Sequence, residues 1–462
     1  MQKTNEEANC YEFSLDHSLE FFSKAGSLFE KKTSFYQNEE TALSLFQKTW
    51  VVDPLLSFKL LLWLRDCRGG AGNRSGFRSC LRWLAENDPF WLENNIHWVP
   101  MIGRWDDLRI LFGTPSQYWA ARIWAKAIGE KDVLATKWAD RKDKPLQAFF
   151  NTNESGLRKI LADIRKGHIV EHKMCSDQWN EIEYPHVPSV AMARYTKAFN
   201  KHDKERFAIY KESLKKGEAK VHSDVLFPHD CVRTVQYGDA DIANAQFDAL
   251  PNYMDTDARV IVISDTSGSM KASIAGSVLA VHVSQGMALY CSAKIPKNNP
   301  FHKKFIGFCD EGSFKDWNEM SFSQAVMDRK IFDGAIGSTY ISGALDLILK
   351  TAKFFSLPDS MMPNMLIIVS DMQFHAGTKG DKAEVENRLD KWIENGYSIP
   401  KVVYWNTAGY AGSPVTSKHN NVGLVSGFSP SILKAVFGGE DFSPKAIMLR
   451  ALEKYDGVID PR

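Results

Sequence analysis

The stretch Asp265-Thr266-Ser267-Gly268-Ser269 sets one carboxylate and two hydroxyls on alternate positions, three oxygens that a turning loop can direct to one side. Hard oxygen donors of this kind suit a cation such as Mg2+, with Mn2+ and Ca2+ as alternatives. Asp, Ser and Gly also fill ordinary strand-to-helix turns, so this stretch by itself leaves both readings open. Two later segments add to it. Gly337-Ser338-Thr339 precedes a helical pattern that starts at Ile341, which puts the Thr339 hydroxyl at a helix amino terminus. Asp371 closes the apolar run Leu366-Ile367-Ile368-Val369-Ser370. Asp265, Ser267, Ser269, Thr339 and Asp371 together make a candidate metal set of two carboxylates and three hydroxyls. Neutral hydroxyls in the majority would leave the ion electron-poor and ready to take an outside carboxylate or phosphate oxygen.

Such a set needs elements that bring distant residues to one place. Val260-Ile261-Val262-Ile263 is a continuous apolar, β-branched run, the pattern of a strand buried on both faces. After Pro251, strand-like runs (Arg259 to Ser264, Phe305 to Cys309, Met365 to Ser370, Val402 to Trp405, Val422 to Val425) alternate with helical ones (Ile274 to Cys291, Tyr340 to Phe355, Lys382 to Glu394, Ser429 to Val436). This alternation predicts βαβ units and a doubly wound, mostly parallel sheet over residues 254–462. The carboxyl ends of neighbouring strands in such a sheet converge on one crevice.

Residues 1–253 read differently. Apolar residues recur at helical spacing from Ser14 to about Asp248, as in Trp119, Ile123, Trp124, Ala127 and Ile128, and predict an all-helical, repeat-like domain. The chain is therefore expected to be a two-domain α plus α/β protein. Between Arg65 and Arg82 lie five arginines (Arg65, Arg68, Arg74, Arg78, Arg82), no lysine and one acid, Asp66, a local surplus of four positive charges. If a helix starts after the Gly-rich loop 69–73, Arg74, Arg78 and Arg82 share one face. Guanidinium forks suit phosphate oxygens, and a Gly-rich turn lets backbone N–H groups approach them. These arginines, with Arg104 of Gly103-Arg104-Trp105-Asp106-Asp107, are candidate RNA contacts. The alternative is that they cap helices and pair with Asp66, Glu86, Asp106 and Asp107. Residues 122–220 carry 21 Lys/Arg against 14 Asp/Glu, with Trp138, Phe149, Phe150, Trp179, Tyr195 and Phe199 interleaved. That mixture fits stacking on unpaired bases, and equally a core decorated with solvated lysines.

The whole chain, 462 residues with 44% hydrophobic and 24% charged residues, has a formal net charge of +1. No global field draws it to nucleic acid or to an acidic membrane. Seven cysteines without a Cys-x-x-Cys pair fit a reducing compartment better than a disulfide framework or a zinc site. No apolar run reaches the roughly 18–20 residues of a membrane span, and the first residues lack a signal-peptide core, so a soluble cytoplasmic protein is expected. No Ser/His/Asp or Cys/His arrangement stands out, and no general base or lysine accompanies Asp265 and Asp371. The expectation is a protein without catalytic activity.

Asp265-x-Ser267-x-Ser269 with Thr339 and Asp371 resembles the metal-ion-dependent adhesion site of von Willebrand factor A domains. The resemblance implies Mg2+ or a similar divalent cation, with Ser267, Ser269 and Thr339 coordinating directly and Asp265 and Asp371 acting mainly through water. Leu64-Arg65-Asp66, Gly69-Gly70-Ala71-Gly72-Asn73-Arg74 and Gly103-Arg104-Trp105-Asp106-Asp107-Leu108 resemble the TROVE module of Ro RNA-binding proteins. They look closer still to a TROVE-like family of unknown function that is often virus-encoded. Small or single-stranded RNA is the partner this implies. An adhesion or assembly protein, such as a structural component of a virus particle, that docks an acidic residue of a protein partner on the cation is the alternative.

Overall fold

The structure, a computed structural model, describes residues 2–3, 9–10, 16–28, 40–221, 226–254, 257–271, 273–275, 278–332, 337–374, 384–408 and 421–461. Among them the apolar runs of the second half form a six-stranded sheet. Its strands are β1 (Val260–Asp265), β2 (Lys304–Phe308), β3 (Gly312–Asp316), β4 (Met365–Ser370), β5 (Lys401–Asn406) and β6 (Val422–Ser426), in the order β6-β5-β4-β1-β2-β3. All neighbours are parallel except the β2–β3 edge pair.

The helices that matter below are α1 (His17–Lys24), α2 (Pro54–Arg65), α3 (Arg74–Asn87), α4 (Gln117–Gly129), α5 (Lys204–Lys215), α6 (Ala240–Asp248), α7 (Ala280–Lys294) and α8 (Ile341–Phe354). Their starts follow capping chemistry: Asp53 accepts from Leu56 N (3.0 Å) with Pro54 at the first position of α2, and Asn73 accepts from Gly76 N (3.0 Å) at α3. Alternate residues of β1 feed two cores. Val260 and Val262 pack with Val283 and Met287 of α7, while Ile261 and Ile263 pack with Leu345 and Ile348 of α8. The sheet is thus covered on both faces, which is why its strands are apolar throughout. Residues 280–292 of α7 are buried all round because that helix lies between the sheet and the helical half.

From β1 the chain passes through α7 to β2 on one side, and returns through α8 to β4 on the other side of β1. The order of connections therefore reverses between β1 and β4, and this opens the crevice where open α/β sheets bind ligands.

The two halves share one core. Leu19, Phe22 and Trp63 belong to the same buried cluster as Val425, Phe428 and Tyr455. Segment 17–28 is tied to the ends of β5 and β6: Ser27 Oγ donates to Asn406 O (2.6 Å) and accepts from Gly427 N (3.0 Å), and Ser426 Oγ donates to Phe22 O (2.7 Å). The last residues cross back, with Asn95 and Ile459 exchanging two hydrogen bonds (2.7 and 2.9 Å). A division of the chain at 253/254 in sequence is not a division in packing.

Several expected elements differ in detail. The helix expected from Ile274 begins at Ala280, behind short strands Ser273–Ala275 and Val278–Leu279. Of the stretch expected to be helical from Lys382, residues 384–394 are helical, and 382–383 lie outside the described residues. Strand β3 and the helix Pro444–Leu452 were not anticipated.

Candidate functional site

Asp265 ends β1 and Asp371 follows β4, one on each side of the crevice. The Asp265 carboxylate accepts from the Ser370 hydroxyl (2.5 Å) and from the Ser267 amide (2.9 Å). The Ser267 and Ser269 hydroxyl oxygens lie 3.2 Å apart. Gly268 N donates to Gly337 O (2.9 Å), which fastens this loop to the one carrying Thr339. Thr339 is buried, two residues before α8. Asp371 accepts from Gln373 N (3.1 Å), and the turn between them puts Met372 at φ 65°. That region is disfavoured for a non-glycine residue. All five candidates therefore sit on three loops at one end of the sheet.

The donor set fits a small hard cation. Metal–oxygen bonds of about 2.1 Å in octahedral geometry put adjacent ligands about 3.0 Å apart, close to the separation of Ser267 and Ser269. Among the described residues no group of three or more His, Cys, Asp or Glu side chains gathers as a metal cage.

The arginines of the helical half converge on two aspartates. Arg65 Nε donates to Asp107 Oδ2 (2.8 Å), and both Arg74 Nε (3.0 Å) and Arg78 Nε (2.7 Å) donate to Asp107 Oδ1. Arg104 grips Asp106 with two bonds (2.9 and 2.7 Å), Arg74 also reaches Asp106, and Arg78 donates to the Asp106 carbonyl (2.7 Å). Arg104 lies 3.8 Å over the Trp138 ring. Burial pushes both carboxyls up, but the guanidiniums win: Arg104 and Arg74 hold Asp106, and Arg65, Arg78 and Arg74 hold Asp107, below the usual carboxylate range.

The ion-pair alternative therefore describes Arg65, Arg74, Arg78 and Arg104. The Arg65 side chain is only 5% exposed, whereas those of Arg74, Arg78 and Arg104 are about a third exposed, at 35%, 29% and 34%. Arg82 pairs with Glu86 (2.9 Å) and, like Arg68, is exposed.

The Gly-rich loop corrects one expectation. Four of its five amides are turned inward: Gly69 N bonds the Asp66 carboxylate (3.0 Å), Gly70 N the Asp66 carbonyl (3.1 Å), Ala71 N Trp63 O (2.9 Å) and Asn73 N Leu64 O (2.8 Å). A Cβ on Gly70 would meet Trp63 O at 2.0 Å, so glycine serves the close approach of loop to helix. Asp66 is in turn held by Lys454 and by Tyr455 OH (2.9 Å). These partners are hundreds of residues away in sequence, and no spacing rule could have found them.

A helical half sharing its core with a mostly parallel sheet, and a hydroxyl-rich cluster at the switch point of that sheet, define a two-part α plus α/β protein. The chain belongs to the family described as "Domain of unknown function (DUF2828)", whose model matches residues 4–121 and 123–264, more than half of it. A second model, "Domain of unknown function (DUF7788)", matches residues 259–456, so that the two meet on β1. The "Uncharacterized protein L728" of Acanthamoeba polyphaga mimivirus is 27% identical over 490 residues, covering 91% of this chain and 82% of that one. Among solved structures, the crystal structure of the Deinococcus radiodurans RO (RSR) protein aligns over 95% of this chain and 99% of that chain, at 12% identity and a TM-score of 0.48.

Proposed function

We propose that this protein binds single-stranded or small structured RNA through its helical half, without catalysing a reaction, while the sheet holds a divalent cation. The observation that carries the RNA reading is one face of α4. Tyr118 (55% exposed) lies 5.7 Å, centroid to centroid, from Phe149 (41% exposed). One turn along α4 is Arg122, exposed and without an ion pair among the described residues. Exposed aromatic faces beside an uncompensated guanidinium suit a base and its phosphate. The positive surplus of residues 122–220 supports the same reading, because Lys126, Lys142, Lys159 and Lys197 of that segment are exposed. Arg68, Arg82 and the exposed edges of Arg74, Arg78 and Arg104 extend the contact, and Arg65 is assigned to holding Asp107. Binding of a single-stranded oligonucleotide should weaken by about 1–3 kcal/mol in Tyr118→Ala. In Arg122→Ala the salt slope should fall by about one. Unchanged affinity and slope in both variants would sink this reading.

The 3.2 Å spacing of Ser267 and Ser269 favours a second activity, docking of a partner's carboxylate on a hydroxyl-held Mg2+. Capture of such a partner would be lost in EDTA and in Ser267→Ala, and capture that survives both would reject it.

A further inference from the structure

At the opposite end of the sheet from Asp265, two cavities of about 920 and 440 Å³ adjoin, the larger lined by residues 185–249 of the helical half alone and the smaller lying between that half and residues 293–322 of the sheet half. They share Leu214, Lys215, Ala245 and Asp248, and the smaller one reaches Phe247, stacked on Phe322 at 3.9 Å. We propose that this cleft is a binding site for a phosphate monoester, carried either by a free nucleotide or by the terminus of an RNA strand.

Charge accounting selects that ligand. Six lysines (Lys215, Lys216, Lys220, Lys294, Lys297, Lys303) line the two cavities against two acids, Asp241 and Asp248, a formal surplus of four. Part of this surplus serves the fold. The carboxyl ends of α5, α6 and α7 all meet here, and each presents roughly half a negative charge. Lys294 Nζ donates to Asp248 O at the end of α6 (3.1 Å), and Lys303 Nζ donates to Met320 O (3.0 Å). Glu212, paired with Lys216 (3.8 Å), offsets one charge, and subtracting three helix ends then leaves about 1.5 positive charges uncompensated. A phosphate monoester carries about −1.5 to −2 at neutral pH, whereas a phosphodiester carries one charge and would leave the cleft unbalanced.

The lysines free to meet it are identifiable. Lys220 and Lys297 are exposed and form no ion pair among the described residues, and Lys215 is paired with Asp241 (3.1 Å). Burial lowers the Lys294 ammonium against the opposing pull of Asp248. His302 adds a polar group: its Nδ1 donates to Ile295 O (2.7 Å), which leaves Nε2 as the ring's remaining polar atom.

The proposal does not depend on RNA binding at α4. Calorimetric titration of the full chain compares AMP with adenosine, and a 5′-phosphorylated oligouridylate with its 5′-hydroxyl form. The expected result is at least tenfold tighter binding of the phosphorylated member of at least one pair. That difference should disappear in Lys220→Glu/Lys297→Glu, both exposed positions, and persist in Tyr118→Ala. A difference with AMP identifies a free nucleotide as the source, and a difference with the oligomer alone identifies an RNA end. Equal binding within both pairs, no binding of any probe, or a difference that survives in the double variant would each overturn the proposal.

Discussion

Asp107 holds together more of the helical half than any one of the arginines around it. Its two oxygens meet Arg65, Arg74, Arg78 and the Arg104 amide, and its side chain is fully buried. Asp107→Ala would strand the Arg65 guanidinium without a counter-charge, and removing one partner of a buried pair costs about 3–5 kcal/mol. Urea unfolding should register that loss, whereas Arg82→Ala, at an exposed i,i+4 pair, should stay within about 0.5 kcal/mol. The same carboxyls set a pH dependence. Folded Asp106 and Asp107 titrate below the ordinary value of 3.8. Their contribution is therefore present above that value and is lost as pH falls through the folded values. Stability should thus decline on acidification below about pH 4, and less steeply in Asp107→Asn than in the wild type. Sequence spacing did put Arg74 and Arg78 on one face of α3. What that face meets was open between phosphate and the aspartates, because both attract a guanidinium equally well on paper.

At the scale of elements, the strand ends carry the prediction. If Ser267, Ser269 and Thr339 hold a cation, millimolar Mg2+ should raise the melting temperature of the wild type by a few degrees. A site filled at a hundredfold above its Kd contributes about 2.7 kcal/mol. Asp371→Ala should abolish the shift, and an equal shift in that variant would contradict the assignment. Strands β1 and β4 were legible because Val260–Ile263 and Leu366–Val369 are uninterrupted apolar runs, and their shared crevice followed from α/β topology. Strand β3 was not, since Gly312-Ser313-Phe314-Lys315-Asp316 lies at the sheet edge and lacks the apolar density of its neighbours. The start of α7 was misplaced because Ile274 to Leu279 is as apolar as the helix itself. Ser370, which donates to Asp265, reads in the sequence only as part of its strand, and nothing there singles out its hydroxyl.

At the scale of the molecule, one core joins helices to sheet, and segment 17–28 is bonded to β5 and β6 across hundreds of residues. Calorimetry should show a single cooperative unfolding transition. Two resolved transitions, one for each half, would contradict the shared core. No helix among the described residues is long and apolar enough to cross a membrane. The near-zero net charge hid the basic surface, because acids elsewhere cancel the surplus of residues 122–220. The central claim is that this surface binds RNA, and the affinity of the full-length protein for a single-stranded oligonucleotide between 50 and 200 mM salt (about the range where counterion release is read) tests it most directly. The account predicts a log–log slope of several negative units that becomes shallower by about one in Arg122→Ala. A flat salt dependence, or affinity no better than that of a neutral control protein, would contradict it.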